Sequence, residues 1–592
     1  MNISLIESLE SRRLLSSTAI PDAAGVTSDS ESLSTVQVQL ILAQAISQAR
    51  PGQAAVVVDR EGTVLGTLAG KNVGTGEAGQ EILFDATARA RTAAAFESDG
   101  EAFSSRTARF IIQNNFPPGV ENTPGGPLYG VEFSSLGNSD ILLNSQSPAI
   151  SGDPGGIPLY IDGIAVGAIG VAGDGHDIAA TQGLLPNPKD PPPAYNPDPK
   201  GKYFKGTEEP DFDEAVAQAG AKGFMPPPAI RANNVFINGL ALPFTAEPPA
   251  HKLAFQPFQT LINSGAAVQN GTIIPGEPEV VDTDANTINT FGSAGTLRDR
   301  SKYVIDPATH LPTTTLQTNP QNADDVVDAL DGISDGLTIT DVDTIIKQAV
   351  ETALKTRAGI RRQTGGGTPA DIQIAVVDTE GNVLGAFRMA DATNFSYDVA
   401  VQKARTANFF SDDTHAFSTR AIGFMSQKFF PLASDDDRLP GPLFNLQNKL
   451  DQVNMSDGQT TSYLLDGLQT PIPRAGDSAA SLADGITIFP GGIPLYKDGH
   501  IVGAIGVSGD GVDQDDFMSY GGTAGFRPPT SIRSDELPPS SIVSFIQSHA
   551  NDITTALGLS STYHPNIASL ATGVAKVRLP YVKFPRRPLV TD

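Results

Sequence analysis

The chain of 592 residues contains no cysteine. That absence removes disulfides, thiolate catalysis, cysteine-ligated zinc and iron–sulfur clusters together, and leaves the redox compartment open. Long apolar runs are also missing, and none reaches the roughly 18 residues that cross a bilayer as a helix. Positive charge is scarce: 40 Lys and Arg stand against 66 Asp and Glu, for a formal net charge of −26 and a pI near 4.6. A field of that sign repels nucleic acid and anionic lipid, which argues against a nucleic-acid partner and favours cations. Glycine and proline are abundant instead, at 59 and 45 residues beside 39% hydrophobic content. The length exceeds one core. This composition predicts compact modules joined by extended loops.

The N-terminus reads MNISLIESLESRRLLSSTA. A secretory signal places its basic residues before an apolar core of about 7–15 residues, whereas Arg12 and Arg13 follow Glu7 and Glu10. The string Leu9–Leu15, LESRRLL, resembles the LEPR-XLL segment that opens many exported bacterial proteins, with Ser11 in place of its proline. Two readings stand: an export-type segment, or a charged, disordered end.

One Gly-rich stretch is written twice. GGIPLYIDGIAVGAIGVAGDG (155–175) and GGIPLYKDGHIVGAIGVSGDG (491–511) agree at 17 of 21 positions. The repeat extends outward in both directions. Segments 33–49 and 337–353 predict amphipathic helices opened by Ser34 or Thr338, with Gln37 or Asp341 in the capping-box place. Segments 54–70 and 373–389 predict β-hairpins around a D-x-E-G turn. Ala-rich helices at 86–96 and 401–410, then EAFSSR and HAFSTR, GPLY and GPLF, and 213–231 with 515–533, complete the series. The order is kept while the spacing drifts, which marks duplication of a whole domain. Each copy predicts an α+β module, a mostly antiparallel sheet with packed helices. The expected organisation is 1–30 N-terminal segment, 31–250 module 1, 251–335 linker or irregular insertion, 336–535 module 2, and 536–592 extension. The tail at 574–590 is basic against an acidic body, either a flexible end or an electrostatic clamp.

Within the second copy, Ile493–Tyr496 and Ile501–Ser508 predict a hairpin turning at Lys497–Gly499. Strict alternation sends Ile501, Ile505 and Val507 to one face with Gly503, and Val502, Ala504, Gly506 and Ser508 to the other. The second face is small, so a helix, another protomer or a flat ligand can approach the backbone closely. No GxxxxGK[ST] string is present, and the GxG strings lie inside strands, which speaks against a phosphate loop.

These blocks resemble the GlcG/HbpS family of haem-binding or haem-degrading-type domains, related to the C-terminal domain of PduO-type proteins. The resemblance rests on AVVDTEGNVLGAFRM (375–389), KARTA (403–407), the Gly-rich stretch and QDDF (514–517), with VVVDREGTVLGTLAG, RARTA and DFDE in the first copy. It implies an α-β-α sandwich of profilin-like type in each copy, oligomeric association and, for some members, haem as cofactor. The first copy departs at Leu68-Ala69-Gly70, where the second has Phe387-Arg388-Met389.

Haem iron takes His, Met, Tyr or Cys. No histidine is shared between copies: His415 faces Glu101, His500 faces Ile164, and His176 faces Val512. His415 is the best placed, beside retained residues, and Tyr160 and Tyr496 are shared. Arg91 and Arg405, Arg106 and Arg420, with Thr92/Thr406 and Ser104/Ser418, form a retained polar set able to clamp haem propionates or a small anionic ligand. The alternative is that these groups pair within the fold. Asp510, Asp513, Asp515 and Asp516 cluster without EF-hand spacing, and 282–287 lacks the glycine of a calcium loop; both are expected to be solvated acidic loops. No catalytic constellation emerges.

The expectation is an exported tetrapyrrole-binding protein without catalysis, its two modules packed as an intrachain pseudo-dimer. The alternatives are a cell-surface interaction module with a lost pocket, or an enzyme acting on a small hydroxy acid. A pocket lined by Arg405, Arg420 and His415 favours a ligand; a filled core there favours the interaction module.

Overall fold

The computed structural model describes residues 32–111, 126–128, 151–174, 211–276, 295–298, 336–427, 441–443, 486–556 and 578–590, apart from isolated positions. Module 1 runs α1 (Thr35–Ile46), β1 (Ala54–Val58), β2 (Val64–Gly70), α2 (Glu77–Ala95), α3 (Ser105–Ile111), β3 (Gly156–Ile161), β4 (Ile164–Ala172) and α4 (Phe212–Gly220). A short ribbon, β5 (Phe236–Ile237) with β6 (Leu240–Ala241), then α5 (Phe258–Asn263) and β7 (Ala267–Asn270) follow. Module 2 repeats the plan with β8 (Gly295–Arg298), α6 (Ile339–Ala353), β9 (Gln373–Val377), β10 (Val383–Met389), α7 (Phe395–Phe409), α8 (Thr419–Met425), β11 (Gly492–Lys497), β12 (His500–Ser508) and α9 (Val512–Gly522). The last helix is α10 (Pro539–Ala556).

The sheets have orders β3-β4-β1-β2-β7 and β11-β12-β9-β10-β8, antiparallel throughout. The stretch between the modules therefore supplies an edge strand to each sheet. Helices α1 and α4 cover one face of the first sheet and α2 the other; α6 and α9 answer α1 and α4, and α7 answers α2. Each module is thus an α-β-α sandwich of α+β class.

Local chemistry explains the elements. Both capping boxes form, Ser34 with Gln37 and Thr338 with Asp341, satisfying amide donors at each helix start. The Gly-rich hairpins turn on Asp162-Gly163 and Asp498-Gly499, both residues of each pair at positive φ, as a two-residue turn of the I′ kind requires.

Strict alternation fails at one point. Leu495 pairs with Gly503 and Tyr496 with Ile501, so the ladder skips Val502 in a β-bulge. Val502 crosses to the face of Ile505 and Val507, in the core under α6 and α9. The same bulge occurs between Leu159 and Tyr160.

The small face seats the Ala-rich helix. Gly156 pairs with Gly170 across the first hairpin and Gly492 with Gly506 across the second. A Cβ on Gly170 would lie 1.9 Å from Ala86 O, and one on Gly506 would lie 1.8 Å from Ala400 O. The helix backbone therefore rests directly on the strand, and only glycine leaves room for it.

Gly506→Val is expected to lift α7 from the sheet and cost about 3 kcal/mol or more. Denaturant unfolding checks this; an unchanged midpoint would show that the seat is not required.

Candidate functional site

Two retained pairs prove to be buried electrostatic ties. Arg89 on α2 reaches past the end of β4: its Nη1 donates to Val171 O (2.8 Å), Pro154 O (3.0 Å) and Asp213 Oδ2 on α4 (2.8 Å). Lys403 on α7 occupies the same place, its Nζ donating to Val507 O (2.8 Å) and Asp515 Oδ2 (2.7 Å). Burial pushes Asp515 up to about 7 against the pull of Lys403, and burial draws the Lys403 ammonium down. The second tie sets Arg106 on Glu214 through two bonds (2.7 and 3.2 Å). Its counterpart Arg420 bonds Asp516 and reaches Asp513 at 2.7 Å. The acidic cluster at 510–516 is therefore not solvated: Asp510 binds Arg361, Asp513 binds Arg420 and Lys583, Asp515 binds Lys403, and Asp516 binds Arg420.

The remaining residues expected at a ligand site also meet protein partners. Arg91 and Arg405 donate Nε to Gly62 O (2.8 Å) and Gly381 O (2.9 Å), bracing the D-x-E-G turns. Burial lowers Arg91 to about 10 although Asp59 opposes it. The Tyr160 hydroxyl donates towards Ser98 O (2.7 Å) and Glu101 O (2.8 Å), and the Tyr496 hydroxyl towards Asp412 O (2.7 Å) and His415 O (3.0 Å). Both phenols anchor the loop after the Ala-rich helix, and burial holds the Tyr160 phenol well above its usual range. His415 sits between Asp412 Oδ1 (3.1 Å) and Ser541 Oγ (2.7 Å) and stacks on Phe545 at 4.2 Å. Burial raises Asp412, but hydrogen bonds from His415 and Thr414 overcome it and hold the carboxyl at about 2. His500 faces Asp413 at the surface, and Met389 is buried in the core. His176 and the 282–287 loop lie outside the described residues.

Each module presents an apolar socket beside this loop. In module 1 it comprises Phe96, Phe103, Ala108, Ile111 and Leu242; in module 2, Phe410, Phe417, Ile422, Met425 and Leu579. The coverings differ. Helix α10 fills the second socket with Ile542, Phe545, Ile546 and Ala550. Module 2 itself covers the first, with Phe395, Val399, Ile488 and Phe489. The two modules therefore meet head to tail, and a crevice remains between them. It is a cavity of about 40 Å³ walled by Phe96, Phe103, Phe395 and Phe489, with Glu101, Lys403 and Asp515 as its charged lining. None of Arg91, Arg106, Arg405, Arg420, Tyr160, Tyr496 or His415 lines it.

A polar clasp borders the crevice. Arg361, in a loop that module 1 lacks, bonds Asp391 and also reaches Asp510 Oδ2 (2.6 Å) and Ser98 Oγ (3.2 Å). Asp391 in turn accepts the amides of Asp99 (2.5 Å) and Gly100 (2.8 Å) from module 1. Carboxylates outnumber this guanidinium, since Asp371, Asp391, Asp510 and Glu101 all feel it. Burial first, then neighbouring Asp510 and Asp391, raise Asp371 to about 6 despite Arg361; burial also raises Asp510 and holds Glu101 well above the carboxylate range.

The basic tail is a clamp, and part of the repeat. Leu579-Pro580-Tyr581 answers Leu242-Pro243-Phe244. Ser418 donates to Tyr581 O as Ser104 does to Phe244 O. Lys583 N donates to Asp516 Oδ2 (3.0 Å) as Ala246 N does to Glu214 Oε2 (2.9 Å).

Carboxyls whose folded pKa exceeds the unfolded value bind protons preferentially in the fold, so they favour it as pH falls towards the unfolded pKa. The thermal midpoint is therefore expected to rise between pH 8 and 5, and Asp371→Asn to flatten the part near pH 6. Below about pH 4 the low Asp412, with Asp341 and Asp513 also held below their usual value, works in the opposite direction. Midpoints measured across pH for both proteins check this; identical slopes would exclude Asp371 as a contributor.

Three comparisons with known proteins bear on identity. Residues 33–180 and 337–522 match the family model described as haem degrading protein HbpS-like, one match per module. No curated protein matches the chain. Among solved structures, a PduOC:heme complex is 21% identical, with a TM-score of 0.21, covering 33% of this chain and 98% of that one. Klebsiella pneumoniae ORFY, of family DUF336, is 21% identical with a TM-score of 0.19, covering 32% and 90%. With more than half of its length matched, and both sandwiches included, the chain belongs to the HbpS-like family.

Proposed function

We propose that this chain is an exported, non-catalytic tetrapyrrole-binding protein that uses the aromatic-walled crevice between its modules. The observation that carries the reading is the family match over both modules, with its haem-linked description. Four phenylalanines on the crevice walls supply the apolar contact that a macrocycle needs.

Iron ligation does not fit the crevice. Among the described residues its lining has no imidazole, phenol or thioether, and the two shared tyrosines and His415 are engaged elsewhere. Its volume corresponds to roughly three waters, so a macrocycle enters only as the modules part. The support is for binding through the ring faces.

A second reading, an interaction module whose ligand place is filled, is favoured by one observation. Helix α10 occupies the socket beside His415. Titration with haemin and with metal-free protoporphyrin IX separates the two. Equal, saturating binding near one per chain, weakened by Phe96→Ala with Phe489→Ala, is expected. Haemin binding alone, lost in His415→Ala, would move the site to the second socket. Failure of both to saturate would favour the interaction module.

Export rests on the acidic body and the LESRRLL string, which lies outside the described residues. Residues 1–30 fused to a reporter are expected to send it out of a bacterial cytoplasm; retention inside would overturn this.

A further inference from the structure

We propose that Lys403 is a carbonyl-capturing amine, condensing with a small aldehyde in the intermodule crevice to form an imine. The inference is independent of the tetrapyrrole reading and needs no macrocycle.

The two modules supply a natural comparison. Arg89 and Lys403 do the same structural work, each tying a strand carbonyl to a carboxylate. A guanidinium stays protonated and is no nucleophile, whereas an ammonium in a desolvated site gives up its proton and attacks carbonyls. Fold alone is met by either cation, and of the two it is the lysine that lines the intermodule crevice.

The surroundings suit the chemistry. Lys403, Asp515 and Glu101 are 1%, 3% and 1% exposed, among aromatic walls. Asp515 Oδ2 lies 2.7 Å from Nζ, while Asp515 Oδ1 and Glu101 Oε2 have no hydrogen-bond partner. Burial lowers the ammonium and raises both carboxyls, which narrows the gap between Nζ and Asp515 and favours the acid form of Glu101. The cavity of about 40 Å³ suits a molecule of roughly three heavy atoms.

The step balances. Nζ transfers a proton to Asp515, which keeps it, and its lone pair forms the C–N bond while one of the two protons left on nitrogen passes to the carbonyl oxygen, giving the carbinolamine. Glu101 protonates that hydroxyl, the C–O bond breaks, water leaves, and the C=N bond forms. The nitrogen's remaining proton returns to the Glu101 carboxylate. Aldehyde and amine become imine and water, with no oxidant or reductant.

The test uses the full chain with acetaldehyde, cyanoborohydride to trap the imine, and peptide mapping by mass spectrometry at neutral pH. Lys403 is expected to be ethylated before the exposed Lys71 and Lys222. Lys403→Arg should keep the fold, as Arg89 shows, and lose the fast adduct. Glu101→Gln should slow it about a hundredfold. Capture at Lys403 no faster than at the surface lysines, or unaffected by Glu101→Gln, would overturn the proposal. Both readouts stand even where Lys403→Arg fails to fold.

Discussion

A cation shut between two helix layers must find its counter-charge inside the protein, because leaving water costs several kcal/mol per ion. Arg89 and Lys403 meet that demand by spanning the sandwich. Each starts on the helix over one face, passes a carbonyl at the end of an inner strand, β4 or β12, and ends on a carboxylate of the helix under the other face. One side chain thereby fixes all three layers. The repeated Gly-Gly makes the crossing possible. A Cβ on Gly155 would meet Arg89 Nη1 at 3.1 Å, and one on Gly491 would meet Lys403 Nζ at 3.2 Å. The following glycine, Gly156 or Gly492, lets the helix backbone settle on the sheet. The Gly-rich stretch is written twice because each module needs the same seat and the same opening for its cation.

That constraint explains why an apparent ligand set became a structural one. Two arginines and two hydroxyls in each copy look from the sequence like a clamp awaiting an anion, and a lysine or third arginine stands beside them. Their partners arrive far along the chain, with Asp213 following Arg89 by 124 residues and Asp515 following Lys403 by 112. Spacing in sequence says nothing about such a meeting. Once made, it leaves Arg89, Lys403, Arg106 and Arg420 on carboxylates of their own, while Arg91 and Arg405 are spent on turn carbonyls. Module 1's Glu101 is different: it projects towards a region where one guanidinium serves four carboxyls, and one of its oxygens has no partner.

The legible features were the local ones. Capping boxes, the Asp-Gly turns, the helix periods and the order of blocks all follow from residues within a few positions of one another. The β-bulge at Val502 was not legible, because period-2 alternation carries no mark of a skipped residue except the glycine beside it. The tail was hidden by an insertion. Leu242-Pro243-Phe244 follows Arg231 closely, whereas α10 and its flanks stand between Arg533 and Leu579. The common Leu-Pro-aromatic string was the available signal, and its shared serine-to-carbonyl bond is the physical reason for it.

A head-to-tail contact has a further consequence, since each added unit exposes the surface that the next would use. Among the described residues, both outward surfaces differ from the inner junction. The outward socket of module 2 is filled by α10, whose Phe545 stacks on His415 and Phe417. At the other end, the helix positions that carry Phe395 and Val399 in module 2 are Glu81 and Asp85 in module 1, so an apolar knob has become charged. Among the described residues, the inner junction is where an apolar knob of one module meets the socket of the other. It is also where Lys403 replaces arginine, where Arg361 reaches across on an added loop, and where the crevice survives. Several of the differences between the copies lie at the surface where they meet. Duplication relieved that surface of symmetry: each half of the junction changed without altering its counterpart elsewhere, which a homodimer of identical chains does not allow.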